Sequence, residues 1–83
     1  MWYFYILKSD IDNKLYYGST NDLKRRFSEH NKGYVTSTKT RLPLSLEYYE
    51  AYSNEKLARF REQKVKSSQG SRKALLKRIN LIE

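Results

Sequence analysis

The chain contains no cysteine among its 83 residues. Disulfide bridges and thiolate zinc sites are therefore excluded, and a reducing compartment is the natural setting for such a sequence. No apolar run approaches the roughly 20 residues that a membrane span requires, and the N-terminus lacks a basic segment followed by an apolar one. We therefore expect a cytoplasmic protein that has no membrane partner.

Acidic residues are also few, with 9 aspartates and glutamates against 17 lysines and arginines and a formal net charge of +8. A basic surface gains affinity for a polyanion because phosphate contacts release bound counterions. Charge alone leaves two interpretations open. One is a nucleic-acid partner, and the other is a protein that merely carries a basic surface.

The length and composition indicate one small domain, which we assign to residues 1–83. Hydrophobic residues make up 39% of the chain, and 8 tyrosines, 3 phenylalanines and 1 tryptophan are among them. These aromatic side chains supply enough apolar surface for a small mixed core.

The pattern of the sequence predicts an α+β fold in which helices flank a three-stranded antiparallel sheet, in the order β-β-α-β-α-α. The first strand is apolar at nearly every position, which is typical of a strand buried on both faces. In the third strand Leu44, Leu46 and Tyr48 alternate with polar residues and are expected to share a face. The predicted strands cover residues 2–8, 14–18 and 44–52. The predicted helices follow caps at one of residues 19–21, at Asn54 and at Ser71.

The helix after the second strand carries a cation and an imidazole on the same side. Arg26 and His30 are four residues apart and therefore point the same way. A guanidinium can hold a phosphate by two parallel hydrogen bonds, so Arg26 is the strongest single candidate for chemistry. Its neighbour Arg25 is a rival, although Arg25 precedes Glu29 by four residues and is better explained by an exposed ion pair.

Two tyrosines on the first two strands lie where they can meet this helix. If Lys8 opposes Asn13 across the hairpin, antiparallel pairing places Tyr5 directly opposite Tyr16 on the same face. His30, the one histidine in the sequence, either assists proton transfer or phosphate binding, or is a surface residue favoured by the helix dipole. Together these side chains predict a site that handles phosphate.

The same residues resemble the motifs of the GIY-YIG nucleases. The first tripeptide of that family corresponds to Phe4-Tyr5-Ile6 and the second to Tyr16-Tyr17-Gly18. The family's arginine, histidine and metal-binding glutamate correspond to Arg26, His30 and Glu62. The resemblance covers nearly the whole chain, and its spacing is much more specific than either tripeptide alone.

The resemblance implies a metal-dependent endonuclease whose catalytic residues are Tyr5, Tyr16, Arg26, His30 and Glu62. It assigns the base to Tyr16 and the metal, Mg²⁺ or Mn²⁺, to Glu62. Glu62 also lies in a row of core-facing positions, where a carboxylate needs a partner or an ion. The competing explanation is a helix ion pair with Lys66, four residues further on.

Four cations are candidates for contact with a nucleic-acid backbone, namely Lys24, Lys39, Arg41 and Lys66. The hydroxyl-rich segment before Lys39 suits the same purpose. DNA is the expected partner, with low sequence specificity because 83 residues leave no room for a targeting domain, and no small-molecule cofactor is expected. The alternative is a nucleic-acid-binding module that shares the fold but does not cleave.

Overall fold

The computed structural model describes residues 1–81, which form a three-stranded antiparallel sheet and three helices in the predicted order. The strand order is β2-β1-β3, so the first strand lies in the centre of the sheet. Across residues 1–81, no helix has both the length and the apolar character required to cross a membrane. The elements are β1 (Trp2–Ser9), β2 (Leu15–Thr20), α1 (Leu23–Asn31), β3 (Leu44–Tyr52), α2 (Glu55–Ser67) and α3 (Gln69–Arg78).

The central strand β1 is buried on both faces, as its composition predicts. Phe4 and Ile6 belong to a cluster that also contains buried residues of α2 and α3. Tyr5 and Leu7 face the other way and pack with Leu44 and with partly buried residues of α1. The sheet therefore has α2 and α3 over one face and α1 over the other, and Tyr5 lies beneath α1.

The predicted pairing of Tyr5 with Tyr16 is wrong by two residues. Tyr5 pairs with Gly18, and Tyr16 pairs with Leu7. The hairpin turn causes the difference. The buried hydroxyl of Ser9 accepts hydrogen bonds from backbone N–H groups within the turn, and the centre of the turn lies one residue further along the chain than expected. Moving the centre by one residue shifts the pairing by two. A shift of two residues keeps side chains on the same face, so the two tyrosines remain neighbours.

The expected alternation along β3 is interrupted by a bulge. Ile6 pairs with Tyr48 and Leu7 pairs with Leu46, so Glu47 has no partner on β1. The extra residue reverses the faces of the strand. Leu44 and Leu46 consequently share the face of Tyr5, whereas Tyr48 faces the α2 side, and the prediction that all three share one face is wrong.

The helices begin at polar caps, of which one is correctly predicted. Asn54 caps α2 by accepting a hydrogen bond from a backbone N–H, as expected. Asp22 caps α1 in place of the three polar residues before it, and the nearest strand residue, Thr20, accepts a hydrogen bond from the Asp22 N–H. Ser68 caps α3 instead of Ser71, so the break between the last two helices is confined to a single residue.

A half-buried carboxylate on β3 holds α2 against the sheet. Glu50 accepts two hydrogen bonds from the Arg61 guanidinium, at 2.9 and 3.2 Å, and one from each of the Tyr48 and Tyr52 hydroxyls. Burial acts to raise the pKa of Glu50, but these hydrogen bonds outweigh it and the pKa is lowered. Arg61 therefore fixes the rotation of α2, on which the adjacent Glu62 also lies.

Candidate active site

The three predicted catalytic rings, those of Tyr5, Tyr16 and His30, contact one another beneath α1. The ring centres of Tyr5 and Tyr16 are 6.3 Å apart, and the His30 ring lies edge-on to both, at 5.8 Å from Tyr5 and 5.0 Å from Tyr16. The side-chain amide of the neighbouring Asn31 donates a hydrogen bond to the Leu44 carbonyl and accepts one from the Leu44 N–H. These two bonds attach the end of α1 to the start of β3 and so hold His30 in this position.

A buried hydrogen-bonded chain runs from the sheet through α1 to the following loop. The Tyr5 hydroxyl is 2.9 Å from His30 Nε2, and His30 Nδ1 is 2.8 Å from the Thr38 hydroxyl. Tyr5 is 1% exposed, and His30 and Thr38 are fully buried. Nothing in the sequence indicates that Thr38 contacts His30, and its hydroxyl-rich segment instead predicts a phosphate contact. The interpretation of His30 as a surface residue is wrong.

Burial sets the protonation states of Tyr5 and His30. Burial raises the pKa of Tyr5 to about 12, with a smaller contribution from Tyr16, while Arg26 acts in the opposite direction. Burial also lowers the pKa of His30 to about 4, assisted by the charge of Arg26 and opposed by Glu29. At neutral pH, Tyr5 is therefore protonated and His30 is uncharged, so His30 does not bind phosphate as a cation.

The stability of the fold should depend on pH through His30. Above its ordinary pKa of 6.5 the imidazole is neutral in both the folded and the unfolded chain. As pH falls from 6.5 towards about 4, the unfolded chain binds a proton that the folded chain does not, so stability decreases. The loss should reach about 3 kcal/mol, at ~1.4 kcal/mol per unit of pKa difference.

Urea unfolding of the wild type and of His30→Gln at several pH values measures this effect. The glutamine variant retains the titrating carboxylates but has no imidazole, so its stability should fall less over the same pH range. Equal pH dependence in the two proteins would contradict a buried neutral histidine.

Arg26 lies on the face of α1 that looks towards the tyrosines. Burial acts to lower its pKa, but hydrogen bonding to Tyr5 and Glu29 and the influence of Tyr16 raise it. Its side chain is 36% exposed and lies 3.2 Å from a Glu29 oxygen. Arg25 is 57% exposed and reaches the same carboxylate at 3.8 Å, so Glu29 is shared and the predicted Arg25 pair is the longer of the two.

Gly18 provides the space that the Tyr5 ring occupies. A Cβ atom at position 18 would lie 2.5 Å from both the Cζ and the hydroxyl oxygen of Tyr5. Ordinary contacts between such atoms are about 3.5–4.0 Å. The glycine of the second tripeptide is therefore required by the tyrosine of the first.

Glu62, the predicted metal ligand, lies beside the outer strand β2. One of its oxygens accepts a hydrogen bond from the Ser19 hydroxyl at 2.6 Å, and the other accepts one from Lys66 at 2.5 Å. The Glu62 side chain is 18% exposed. The Lys66 ammonium also lies 6.0 Å from the centre of the Tyr16 ring. The Lys66 pair is the competing explanation that the sequence left open for Glu62, whereas nothing in the sequence indicates the contact with Ser19.

A divalent ion at this position would depend on one carboxylate. Among residues 1–81, no three His, Cys, Asp or Glu side chains are grouped closely enough to hold a metal. Mg²⁺ commonly keeps several waters and binds through one or two carboxylates together with substrate phosphates. Glu62 fits that pattern once the flexible Lys66 side chain moves aside.

The four candidate DNA-binding cations have different surroundings. Lys24 and Lys39 are exposed, whereas Lys66 is paired with Glu62. Arg41 is only 23% exposed and lies 3.4 Å from an Asp12 oxygen. Backbone hydrogen bonding, with a further contribution from Arg41, lowers the pKa of Asp12. Arg41 therefore forms an ion pair within the loop region, and its contact with DNA stays a prediction.

The fold and the family model that matches the chain indicate a nuclease superfamily. Within that class, the chain belongs to the family of the GIY-YIG catalytic domain, which matches residues 1–78.

Several small bacterial proteins are similar to the chain. A UPF0213 protein of Streptococcus pyogenes serotype M3 is 44% identical over 57 residues, which cover 68% of this chain and 61% of that protein. The chain thus spans about three fifths of the length of the streptococcal relatives that it matches. A UPF0213 protein of Bacillus pumilus is 39% identical over 66 residues, covering 78% of this chain and 66% of the relative.

A solved structure has the same fold. The solution NMR structure of a UPF0213 protein from Bacillus halodurans superimposes with a TM-score of 0.57 and 31% sequence identity. The superposition covers 93% of this chain and 84% of that protein.

Proposed function

We propose that this domain is a metal-dependent endonuclease that hydrolyses phosphodiester bonds in DNA with low sequence specificity. The observation that supports the proposal best is the convergence of three kinds of group at one place. Tyr16 and Arg26 surround the buried Tyr5–His30 pair, and Glu62 approaches the same place from the opposite helix layer.

Tyr16 is the better of the two tyrosines for the general base. A base must reach the attacking water, and Tyr16 is partly exposed whereas Tyr5 is buried. The pKa of Tyr5, raised to about 12, also keeps its proton in place at neutral pH. Tyr16, acting as a phenolate, therefore takes the proton from water and becomes a neutral phenol, and Tyr5 orients the groups around it.

Arg26 binds the phosphate that is attacked. Its guanidinium is partly withdrawn from solvent and lies near both tyrosines, so it is already in position when charge develops on the phosphoryl oxygens. Glu29 holds the guanidinium from the other side without removing it from solvent.

Glu62 would hold one Mg²⁺ or Mn²⁺ ion, with water and substrate phosphate completing its coordination. When bound there, the ion supplies charge neutralisation for the leaving 3′-oxygen. Ser19 donates a hydrogen bond to the carboxylate and so keeps one oxygen in a fixed direction. Arg61 fixes the helix itself through Glu50.

Replacing Glu62 with glutamine should abolish cleavage that depends on Mg²⁺ while leaving the fold and DNA binding nearly intact. The amide has the same shape but lacks the charge that binds a hard cation. Loss of the Lys66 pair should cost only a few tenths of a kcal/mol in stability. Nicking of plasmid DNA with added Mg²⁺, thermal unfolding and DNA affinity are the three measurements.

Glu55→Gln is the matched control. Glu55 pairs with Arg59 four residues on, at the other end of the same helix. That variant should keep full activity. Unchanged cleavage by Glu62→Gln would show that Glu62 serves only as the partner of Lys66. DNA binding by the wild type without any metal-dependent nicking would instead favour the non-catalytic binding module.

A further inference from the structure

Thr38 is the buried end of the hydrogen-bonded chain that begins at Tyr5. Its side chain lies in the loop after α1, is fully buried, and contacts the imidazole directly. The loop makes one helical turn here, since Thr38 N–H and Lys39 N–H both donate to the Val35 carbonyl.

The direction of the hydrogen bonds follows from what each end can donate. The Thr38 hydroxyl is 3.5 Å from the Val35 carbonyl oxygen, which accepts but cannot donate. The Arg26 guanidinium, which influences Tyr5, carries only donors and cannot accept the Tyr5 proton. The buried Tyr5 hydroxyl therefore needs another acceptor for its proton, and the acceptor in contact is His30 Nε2.

A single arrangement satisfies both ends. His30 then carries its proton on Nδ1 and donates it to Thr38, which donates in turn to Val35. In the reverse arrangement Nε2–H donates to Tyr5, and among residues 1–81 no acceptor is seen for the buried Tyr5 proton. A buried polar hydrogen without a partner costs about 1–3 kcal/mol.

We propose that Thr38 is a positioning residue, whose hydroxyl accepts the Nδ1–H of His30, fixes the imidazole tautomer and thereby directs the Tyr5 proton away from the reaction. This inference rests on the proposed function. Since the hydrogen bond at one ring nitrogen determines the state of the other, Thr38 determines what His30 offers to Tyr5. The lone pairs of the Tyr5 oxygen are left to face Arg26 and the attacking water beside Tyr16.

The nitrogen NMR signals of the His30 ring test the proposal directly, because the chain contains one histidine and its signals need no assignment. The wild type should show the neutral Nδ1–H tautomer near neutral pH. Thr38→Val has the same shape without the hydroxyl, and it should lose that tautomer, whereas Thr38→Ser should keep it. A wild-type protein in the Nε2–H tautomer would overturn the proposal.

Single-turnover cleavage separates positioning from mere packing. Thr38→Val should slow the chemical step about 10-fold or more, as loss of a partner that orients an imidazole does in metal sites, without changing DNA affinity. Thr38→Ser should restore the rate. A Thr38→Val protein that keeps both the tautomer and the rate would contradict the proposal. Should the wild type prove inactive, the proposed function fails while the NMR measurement still decides the hydrogen-bond direction.

Discussion

Replacement of Arg26 with alanine is expected to slow DNA cleavage by about 10²-fold or more, which is typical for loss of a preorganised donor to the transition state. Arg25→Ala should leave the rate almost unchanged. The two arginines are adjacent and equally charged, but Arg26 lies beside the tyrosines whereas Arg25 is directed towards Asn21 and solvent. Single-turnover rates at saturating protein measure the difference.

Two further variants make this comparison sharper. Arg26→Lys should fail nearly as badly as Arg26→Ala, because an ammonium cannot reproduce a two-pronged contact with phosphate. Arg25→Ala should weaken DNA binding slightly, and only at low salt. Equal and small losses from both alanine variants would mean that these cations only bind, and the domain would then be a binding module.

Replacement of Gly18 with alanine should displace the Tyr5 ring and abolish cleavage. The added methyl group would meet Cζ and the hydroxyl oxygen of a side chain that is itself fully packed, so the ring must move. Overpacking of a core usually costs about 1–3 kcal/mol, and the contact with His30 should be lost as well. Thermal unfolding and the nicking assay should both reveal the change.

Gly70→Ala is the control for this prediction. Apart from its chain neighbours and the backbone of its own helix, no atom of residues 1–81 lies within 4 Å of a Cβ built at position 70, which is in the first turn of α3. Alanine there should raise stability by up to about 1 kcal/mol through its higher helix propensity. Leucine at position 5 has no ring to meet the added methyl group. The destabilisations caused by Gly18→Ala and by Tyr5→Leu should therefore be less than additive in the double variant Gly18→Ala/Tyr5→Leu. Full activity of Gly18→Ala would contradict the requirement for space.

The sequence predicts the elements well because their signals are local. The apolar run of β1 identifies a strand buried on both faces, and Asn54 marks the start of α2. The spacing of Arg26 and His30 places both on one helix face, and the structure brings them to Tyr5 and Tyr16. Helical periodicity and the two tripeptides together were sufficient to predict this meeting.

Features that depend on tertiary contacts were not predictable in the same way. The register of the hairpin follows from Ser9 capping its own turn, and the bulge at Glu47 follows from the two faces that β3 must serve. Ser19 and Thr38 are small hydroxyl residues that are common in loops and at caps. Their partners, Glu62 and His30, lie 43 and 8 residues away, so no local pattern distinguishes them.

The adjacent residues Arg61 and Glu62 attach α2 to opposite edges of the sheet. Arg61 binds Glu50 on β3, and Glu62 binds Ser19 on β2, with β1 between them. One turn of α2 thus spans the full width of the sheet and is attached to both of its outer strands. A change in the twist of the sheet would stretch one attachment or the other, so the backbone position of the carboxylate assigned to the metal is coupled to the twist of the sheet.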